Sequence, residues 1–518
     1  MKDYFRKHWL TLFWATVVFV VAILIRLPSC YESFWVDELH TAWAIWGDFG
    51  QVAERAEVGN QTPLYFQAMW GWHWLVGDSE VALRMSSVLA VAAASAFLVV
   101  GVKQSTGRLS AGVVSGAVLA VDSNSLFFGT EFRPYALVML CSAIATWAAV
   151  TLLRANTKIS RANLRLILVA ATGVATLLHP TAIVTLSILA CAVLLVALVT
   201  RQMNFKFQIS DVVSLILIAA IGFALAKSSL GHSWEIRDQW AAFGKASTLN
   251  HLWTIWPWWM IAIAPGVIAL LSLKNRSFAE VFNAKLPLLV AVVATTVFFT
   301  ASYFDWVPLW HRRYFVAALP LFAWSIGACF ALPMPKTICR ASEAVIVAAG
   351  VFLIATMLWK QGTIQQWRAG QMQLVFRGED WRGAVSWVNS NRMKGNTVIV
   401  DAGLIESKRL TDLRMWGHLG AGGDGEMIEE LETYLAFPLT GPYEVSGAKT
   451  ADFKYWAMTM PFGIDQRSNS DDRWVISRNG QRSFSRWLEN SPAILLESKK
   501  FGNLSVFRFC LNVRRDPS

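Results

Sequence analysis

Long apolar runs alternate with short polar segments through the first 360 residues, and the polar segments are of two contrasting kinds. A helix needs about 20 apolar residues to cross roughly 30 Å of hydrocarbon. Windows of that kind fall at 9–26, 80–102, 109–128, 134–153, 164–178, 180–200, 211–227, 255–273, 286–302, 315–331 and 343–359, predicting eleven spans. One set of connecting segments carries Lys2/Arg6/Lys7, Lys103/Arg108, Arg154/Lys158/Arg161/Arg165, Arg201/Lys206, Lys274/Arg276/Lys285 and Lys336/Arg340 with few carboxylates, which marks it as cytoplasmic. The opposite set is residues 28–79, 130–133, His179, 228–254, 303–314 and everything after Trp359, and it mixes acids, bases and aromatics. An odd number of spans starting inside places the N-terminus in the cytoplasm and the long tail outside.

The first run, Trp9 to Ile25, follows Lys2, Arg6 and Lys7 and so resembles a secretory signal, but it is long and lacks a small-x-small cleavage site, which predicts an uncleaved first helix. In the first outer loop Leu39 to Val58 is amphipathic and reads as a helix lying on the membrane surface. After the Gly59-Asn-Gln-Thr-Pro63 break a second helix, Leu64 to Val76, carries Trp70, Trp72 and Trp74 as interfacial anchors. From Lys360 the composition turns soluble. Asp380 to Asn389 predicts a helix with an Asp cap, Asn396 to Asp401 a buried strand ending at Ala402-Gly403, Gly425 to Leu435 a helix, and Ala493–Ser498 with Leu504–Leu511 a hairpin across Phe501-Gly-Asn503. The expected fold class is therefore a mainly α polytopic membrane protein, residues 1–359, followed by an extracytoplasmic α/β domain, residues 360–518, large enough to bury its own core.

Composition sharpens this picture. Of 518 residues 55% are hydrophobic and only 16% charged, with 26 Trp and a mean hydropathy of +0.42, which excludes a soluble protein of this size. The net charge of +11 falls largely in the short loops, so topology explains it and no nucleic-acid partner is expected. Six scattered cysteines, several inside apolar runs, show neither CxxC nor Cys/His ligand spacing, which argues against a structural zinc or a disulfide framework. Gly420-Ala-Gly-Gly-Asp-Gly425 lacks the lysine of a phosphate loop and reads as a surface loop.

Four elements on the outer side carry residues that chemistry can use: Asp37-Glu38 after the first span, Thr130-Glu131-Phe-Arg133-Pro-Tyr135 between the third and fourth, His179 at a helix joint, and Trp310-His-Arg312-Arg313-Tyr314 entering the tenth. Each alone has an ordinary explanation, as a helix start, a structural ion pair or a snorkelling arginine. Together they supply what transfer from a lipid-linked phosphate needs. Guanidinium groups bind the phosphate and stabilise it as a leaving group, while a carboxylate takes the proton of an incoming hydroxyl.

On these motifs the chain resembles the GT-C superfamily of integral-membrane glycosyltransferases, in the branch of protein O-mannosyltransferases and lipid A aminoarabinose transferases. The matching text is Trp35-Val-Asp-Glu38, Thr62-Pro-Leu-Tyr65, Gly77-Asp-Ser-Glu-Val-Ala-Leu-Arg84, Glu131-Phe-Arg-Pro-Tyr135, and Arg313-Tyr314 with Pro320. The resemblance is strong over residues 26–180, looser to about 330, and beyond that one of architecture. It implies a polyprenyl-phosphate sugar as donor, membrane lipid as surroundings, an acceptor hydroxyl of undetermined class, and residence in the plasma (inner) membrane. It implies Asp37 as general base with Glu38 as its partner, and Arg84, Glu131, Arg133, Tyr135, His179, Arg312 and Arg313 as residues that frame donor and substrate. Members of the superfamily differ in metal use, so a divalent metal stays open and no cofactor is specified. One displacement assisted by one base implies inversion at the sugar.

Two rival classes make different demands. A transporter or flippase of lipid-linked glycans calls for inverted repeats and charges at mid-membrane; no internal repeat is evident, and the charges gather on one face. A non-catalytic scaffold has no need of Asp37 with the arginines.

Overall fold

The computed structural model describes residues 2–154, 159–199, 244–256, 278–331, 342–393, 396–404, 410, 424–445, 472–478 and 493–511, with a few isolated positions between them. These residues form two compact units. The first comprises residues 1–30, 60–65 and 81–375, the second residues 31–59, 66–80 and 376–518.

The first unit is helical. Its elements are α1 (Lys2–Leu24), α5 (Glu80–Thr106), α6 (Leu109–Val121), α7 (Ser123–Phe128), α8 (Tyr135–Leu152), α9 (Arg161–Leu178), α10 (Ala182–Val199), α11 (Phe278–Tyr303), α12 (Leu319–Cys329) and α13 (Ser342–Lys360). Among the described residues five helical segments are long and apolar enough to cross a membrane, at His8–Tyr31, Glu80–Thr106, Tyr135–Leu152, Arg161–Leu178 and Lys285–Tyr303, with shorter apolar helices at Leu109–Val121, Ala182–Val196 and Val347–Lys360. The chain is thus an integral membrane protein. The predicted windows 211–227 and 255–273 lie almost wholly outside the described residues. Small residues let the helices close on one another, as membrane packing favours. A Cβ at Gly116 would meet Ser95 O at 2.6 Å, and one at Gly327 would meet Ala111 O at 2.4 Å, so neither position has room for a side chain.

Two predicted spans differ from the observed helices. The window 109–128 is broken, because Asp122 leaves the helix and its carboxylate caps the next one, accepting the Ser125 N–H at 2.9 Å. The window 315–331 begins as a 3-10 turn, Arg312–Ala318, and becomes α-helical only at Leu319. Pro320 has no N–H to donate and its fixed φ suits a first turn, so the helix starts there.

The second unit holds α2 (Val36–Ile45), α3 (Phe49–Val58), α14 (Trp381–Asn391), α15 (Asp424–Leu435) and a four-stranded sheet; α4 (Pro63–Val76) belongs to it from Phe66 onward. The single helix expected over Leu39–Val58 is two, α2 and α3, separated by Trp46–Asp48. The strands β1 (Val398–Asp401), β2 (Arg473–Arg478), β3 (Ala493–Phe501) and β4 (Leu504–Leu511) lie in the order β1-β2-β4-β3, with β1 and β2 parallel and the other pairs antiparallel. Ile399, Val475, Phe507 and Phe509 form the core on one face. On the other face α14 lays Trp387 edge-on against Trp474, with ring centroids 5.3 Å apart. The Asp380 cap is present, its carboxylate accepting the Gly383 N–H at 2.8 Å. The β3–β4 hairpin turns at Gly502, whose φ of +63° is one that only glycine adopts without strain. Gly420–Gly423 falls outside the described residues.

Candidate active site

In the first unit, three turns at helix ends gather a cationic, aromatic cluster. The turn from α7 to α8 carries Glu131, Arg133 and Tyr135, which are 1%, 3% and 2% exposed. It is anchored from α5, where the Ser87 hydroxyl donates to Glu131 O at 2.6 Å. The α9–α10 joint supplies His179, the residue that ends α9, and its Nδ1 hydrogen-bonds the Thr181 hydroxyl at 2.7 Å. The His179 ring sits between Tyr135 (centroids 5.3 Å apart) and Tyr314 (5.9 Å). Arg313 lies over the Tyr314 ring at 5.3 Å. Burial first, then the positive charges of Arg313 and Arg133, pull the His179 pKa down to about 3. His179 is therefore neutral throughout the physiological range, a hydrogen-bonding group rather than an acid, inside a region made positive by two guanidinium groups.

Two other predicted residues of this unit make contacts of their own. Arg84 is fully buried and donates to Cys30 O at 2.9 Å, tying α5 to the turn after α1. Arg312 is exposed, with its guanidinium over Phe127 at 5.5 Å. Another buried arginine, Arg26, donates to Ser125 Oγ and to Ala22 O, both at 2.9 Å, and so holds α1 to the start of α7.

In the second unit, the acidic pair opens α2. The two carboxylates have different surroundings. Glu38 is completely buried at the third helical position and reaches back to accept the Trp35 N–H at 3.4 Å, which is the return half of a capping box. Asp37 is half-buried on the same first turn. The segment leading into α2 is held by residues far along the chain. Tyr443 Oη accepts the Phe34 N–H at 3.0 Å and donates to Glu80 at 2.6 Å. Glu32 accepts the N–H groups of Arg377 (2.7 Å) and Gly378 (2.9 Å). Arg382 bonds Glu80 at 2.8 Å. Further along α2, His40 is enclosed by Trp43, Phe66, Tyr434 and Phe437, with centroids 5.5–6.1 Å away.

A third acid belongs to this neighbourhood. Burial raises the pKa of Glu406, the charge of Asp37 raises it further, and a hydrogen bond from Tyr434 works the other way. Glu406, Glu379 and Tyr443 were invisible to motif reading, because the segments that carry them have no spacing that announces chemistry. Only the Asp380 cap beside Glu379 was legible. Among the described residues no group of three or more His, Cys, Asp or Glu side chains is gathered to hold a metal ion.

Comparison with known proteins decides the fold. The chain is similar to the structure of ArnT from Cupriavidus metallidurans bound to undecaprenyl phosphate, with a TM-score of 0.55 and 10% identity, covering 97% of this chain and 98% of that one. The apo form of the same protein gives 0.57 and 12%, over 96% and 97% of the two chains. The fold is that of ArnT. The resemblance read from the motifs is thus borne out at the level of the fold. Residues 60–226 also match the family described as dolichyl-phosphate-mannose-protein mannosyltransferase. That stretch includes Arg84, the Glu131–Tyr135 turn and His179. No curated protein sequence matches the chain.

Proposed function

We propose that this GT-C protein is a glycosyltransferase that moves one sugar from a polyprenyl-phosphate carrier to an acceptor hydroxyl at the extracytoplasmic face of the membrane, with inversion. The observation that carries the reading is the gathering of buried His179 between Tyr135 and Tyr314, with Arg313 over the Tyr314 ring and Arg133 buried in the turn that leads to Tyr135. Cations gathered at the ends of membrane helices favour an anion with an apolar tail, and a polyprenyl phosphate is such a ligand. The ArnT neighbour bound to undecaprenyl phosphate supports the same donor class.

The chemistry is a single in-line displacement. Asp37 takes the proton of the acceptor hydroxyl as its oxygen bonds to the anomeric carbon. The bond from that carbon to the phosphate oxygen breaks on the opposite side, which inverts the centre. Arg133 and Arg313 stabilise the departing phosphate, where negative charge grows in the transition state. Glu38, spent on the helix cap, supports the geometry of Asp37 rather than the proton transfer. Residues 28–79 and the tail after Trp359 are assigned to the outer face, and the N-terminus to the cytoplasm, from the loop charges.

The test is mass spectrometry of surface glycans and glycoproteins from cells lacking the chain, since the missing residue names both sugar and acceptor. Unchanged glycans throughout would overturn the proposal. With purified protein and the donor so identified, full transfer by Asp37→Asn would remove the base assignment while leaving the activity standing.

A further inference from the structure

We infer that Glu379 is a positioning residue for Asp37, holding the first turn of α2 in register through a fixed carboxylate that is itself oriented by Arg478 and Trp381. The inference rests on the proposed role of Asp37 and adds to it a residue that lies 343 positions away from α2 in sequence.

Glu379 is held before it holds anything else. Its backbone forms an antiparallel bridge with Gly502, and the next residue, Asp380, donates its N–H to Phe501 O at 3.4 Å. The side chain is buried, and both of its oxygens are engaged. Oε1 accepts from Arg478 Nε at 2.6 Å. Oε2 accepts from the indole N–H of Trp381 at 2.9 Å, and Trp381 is fully buried at the start of α14. Arg478 ends β2, and its Nη1 lies 3.5 Å from Ala402 O, just past the end of β1. Backbone, indole and guanidinium together leave the carboxylate little freedom to rotate.

The remaining bond goes to α2. Glu379 Oε2 accepts the N–H of Val36, the first helical residue, at 3.0 Å. That N–H is one of those a helix cannot satisfy internally, and an anion is the favoured partner at a helix start. Asp37 is the next residue. The same carboxylate pairs with Arg478, so the cap is a charge-assisted bond and stronger than a neutral one. The sheet of the second unit therefore sets the height and rotation of the turn that presents Asp37.

The experiment uses the full-length protein in lipid nanodiscs with undecaprenyl-phosphate mannose, glucose and 4-aminoarabinose as donors, following release of undecaprenyl phosphate in the presence of acceptor from the deletion strain. Glu379→Ala is expected to lower kcat by about 100-fold with donor KM changed less than about threefold, the scale on which misplacing a reacting group by an ångström acts. Glu379→Gln keeps an acceptor for Val36 and loses the ion pair, so it should recover about tenfold of that loss, and Arg478→Gln should match it within about threefold. Added to Asp37→Asn, either Glu379 change should cost almost nothing more, because a residue acting only through Asp37 has nothing left to position.

The inference is overturned if Glu379→Gln and Arg478→Gln both keep kcat within twofold of the wild type, or if the Glu379 loss multiplies that of Asp37→Asn. Should Glu379→Ala fail to fold, the other two variants decide. An inactive wild type with all three donors removes the proposed function and this inference with it. An active wild type with an inactive Asp37→Asn and unaffected Glu379 variants removes this inference alone.

Discussion

The two chemically loaded regions of the molecule are built in opposite ways. The cationic cluster of the first unit, Arg133, Tyr135, His179, Arg313 and Tyr314, occupies turns between helices, where the apolar lengths of those helices decide which residues emerge. The acid-bearing turn of the second unit is fixed from afar: Phe34 is held by Tyr443 and Val36 by Glu379, which are 409 and 343 positions away. The long membrane helices are therefore largely readable from the chain, whereas the orientation of a short helix such as α2 is a tertiary decision. The difference has a chemical side too. The cationic cluster sits around an imidazole that stays neutral, while in the second unit burial, and after it the charge of Asp37, raises the proton affinity of Glu406.

The most direct way to break this comparison is to remove the acid. Asp37→Asn should lower kcat by about 1000-fold, within the range a lost general base accounts for, with the donor still bound. Retained transfer would leave the two regions without their contrasting roles. Arg133→Met and Arg313→Met come next, each expected to lower kcat/KM for the donor by roughly 10- to 100-fold, the worth of one charge-assisted hydrogen bond to phosphate. An effect confined to the acceptor KM would reassign the cluster.

Smaller effects sharpen the picture inside the second unit. Glu38→Gln should cost about 1 kcal/mol of stability as a weakened capping box, with kcat lowered only a few fold; a loss as large as that of Asp37→Asn would make the pair a catalytic dyad. The smallest effect concerns Glu406. Its folded-state pKa lies above the usual 4.5, so the protonated form is favoured by folding. That contribution is present below the ordinary pKa and is lost as pH rises through the raised value. Glu406→Gln mimics the protonated form, so its thermal midpoint should match the wild type at pH 4 and exceed it by pH 8. Equal midpoints at both pH values would place Glu406 in water, away from the charge of Asp37.

Much of the helical framework was legible. The windows 80–102, 134–153 and 164–178 coincide with α5, α8 and α9 because a membrane helix is specified by apolar length alone. The capped helix at Trp381 and the β3–β4 hairpin were equally legible, since Asp380 and Gly502 act on their immediate neighbours. The break at Asp122 was missed because apolarity continues across it, and only the carboxylate's bond to Ser125 N shows that the helix has ended and restarted. The Arg84 and Arg312 placements were equally hidden. In sequence both are candidates to frame a phosphate, and only the fold shows one buried against Cys30 O and the other exposed over Phe127.

By itself, then, the sequence determined that this is an integral membrane protein, where most of its long apolar helices lie, and which polar turns carry arginine, histidine and acid. These follow from local physics, the length of apolar runs and the chemistry of caps and turns. The tertiary structure decided that Glu38 is a buried cap and Asp37 half-buried, that His179 lies between Tyr135 and Tyr314 with Arg313 over the latter, and that Glu379, Tyr443 and Glu406 belong to the neighbourhood of α2. Those facts depend on which distant backbone groups are brought within hydrogen-bonding distance, and no local pattern encodes that distance.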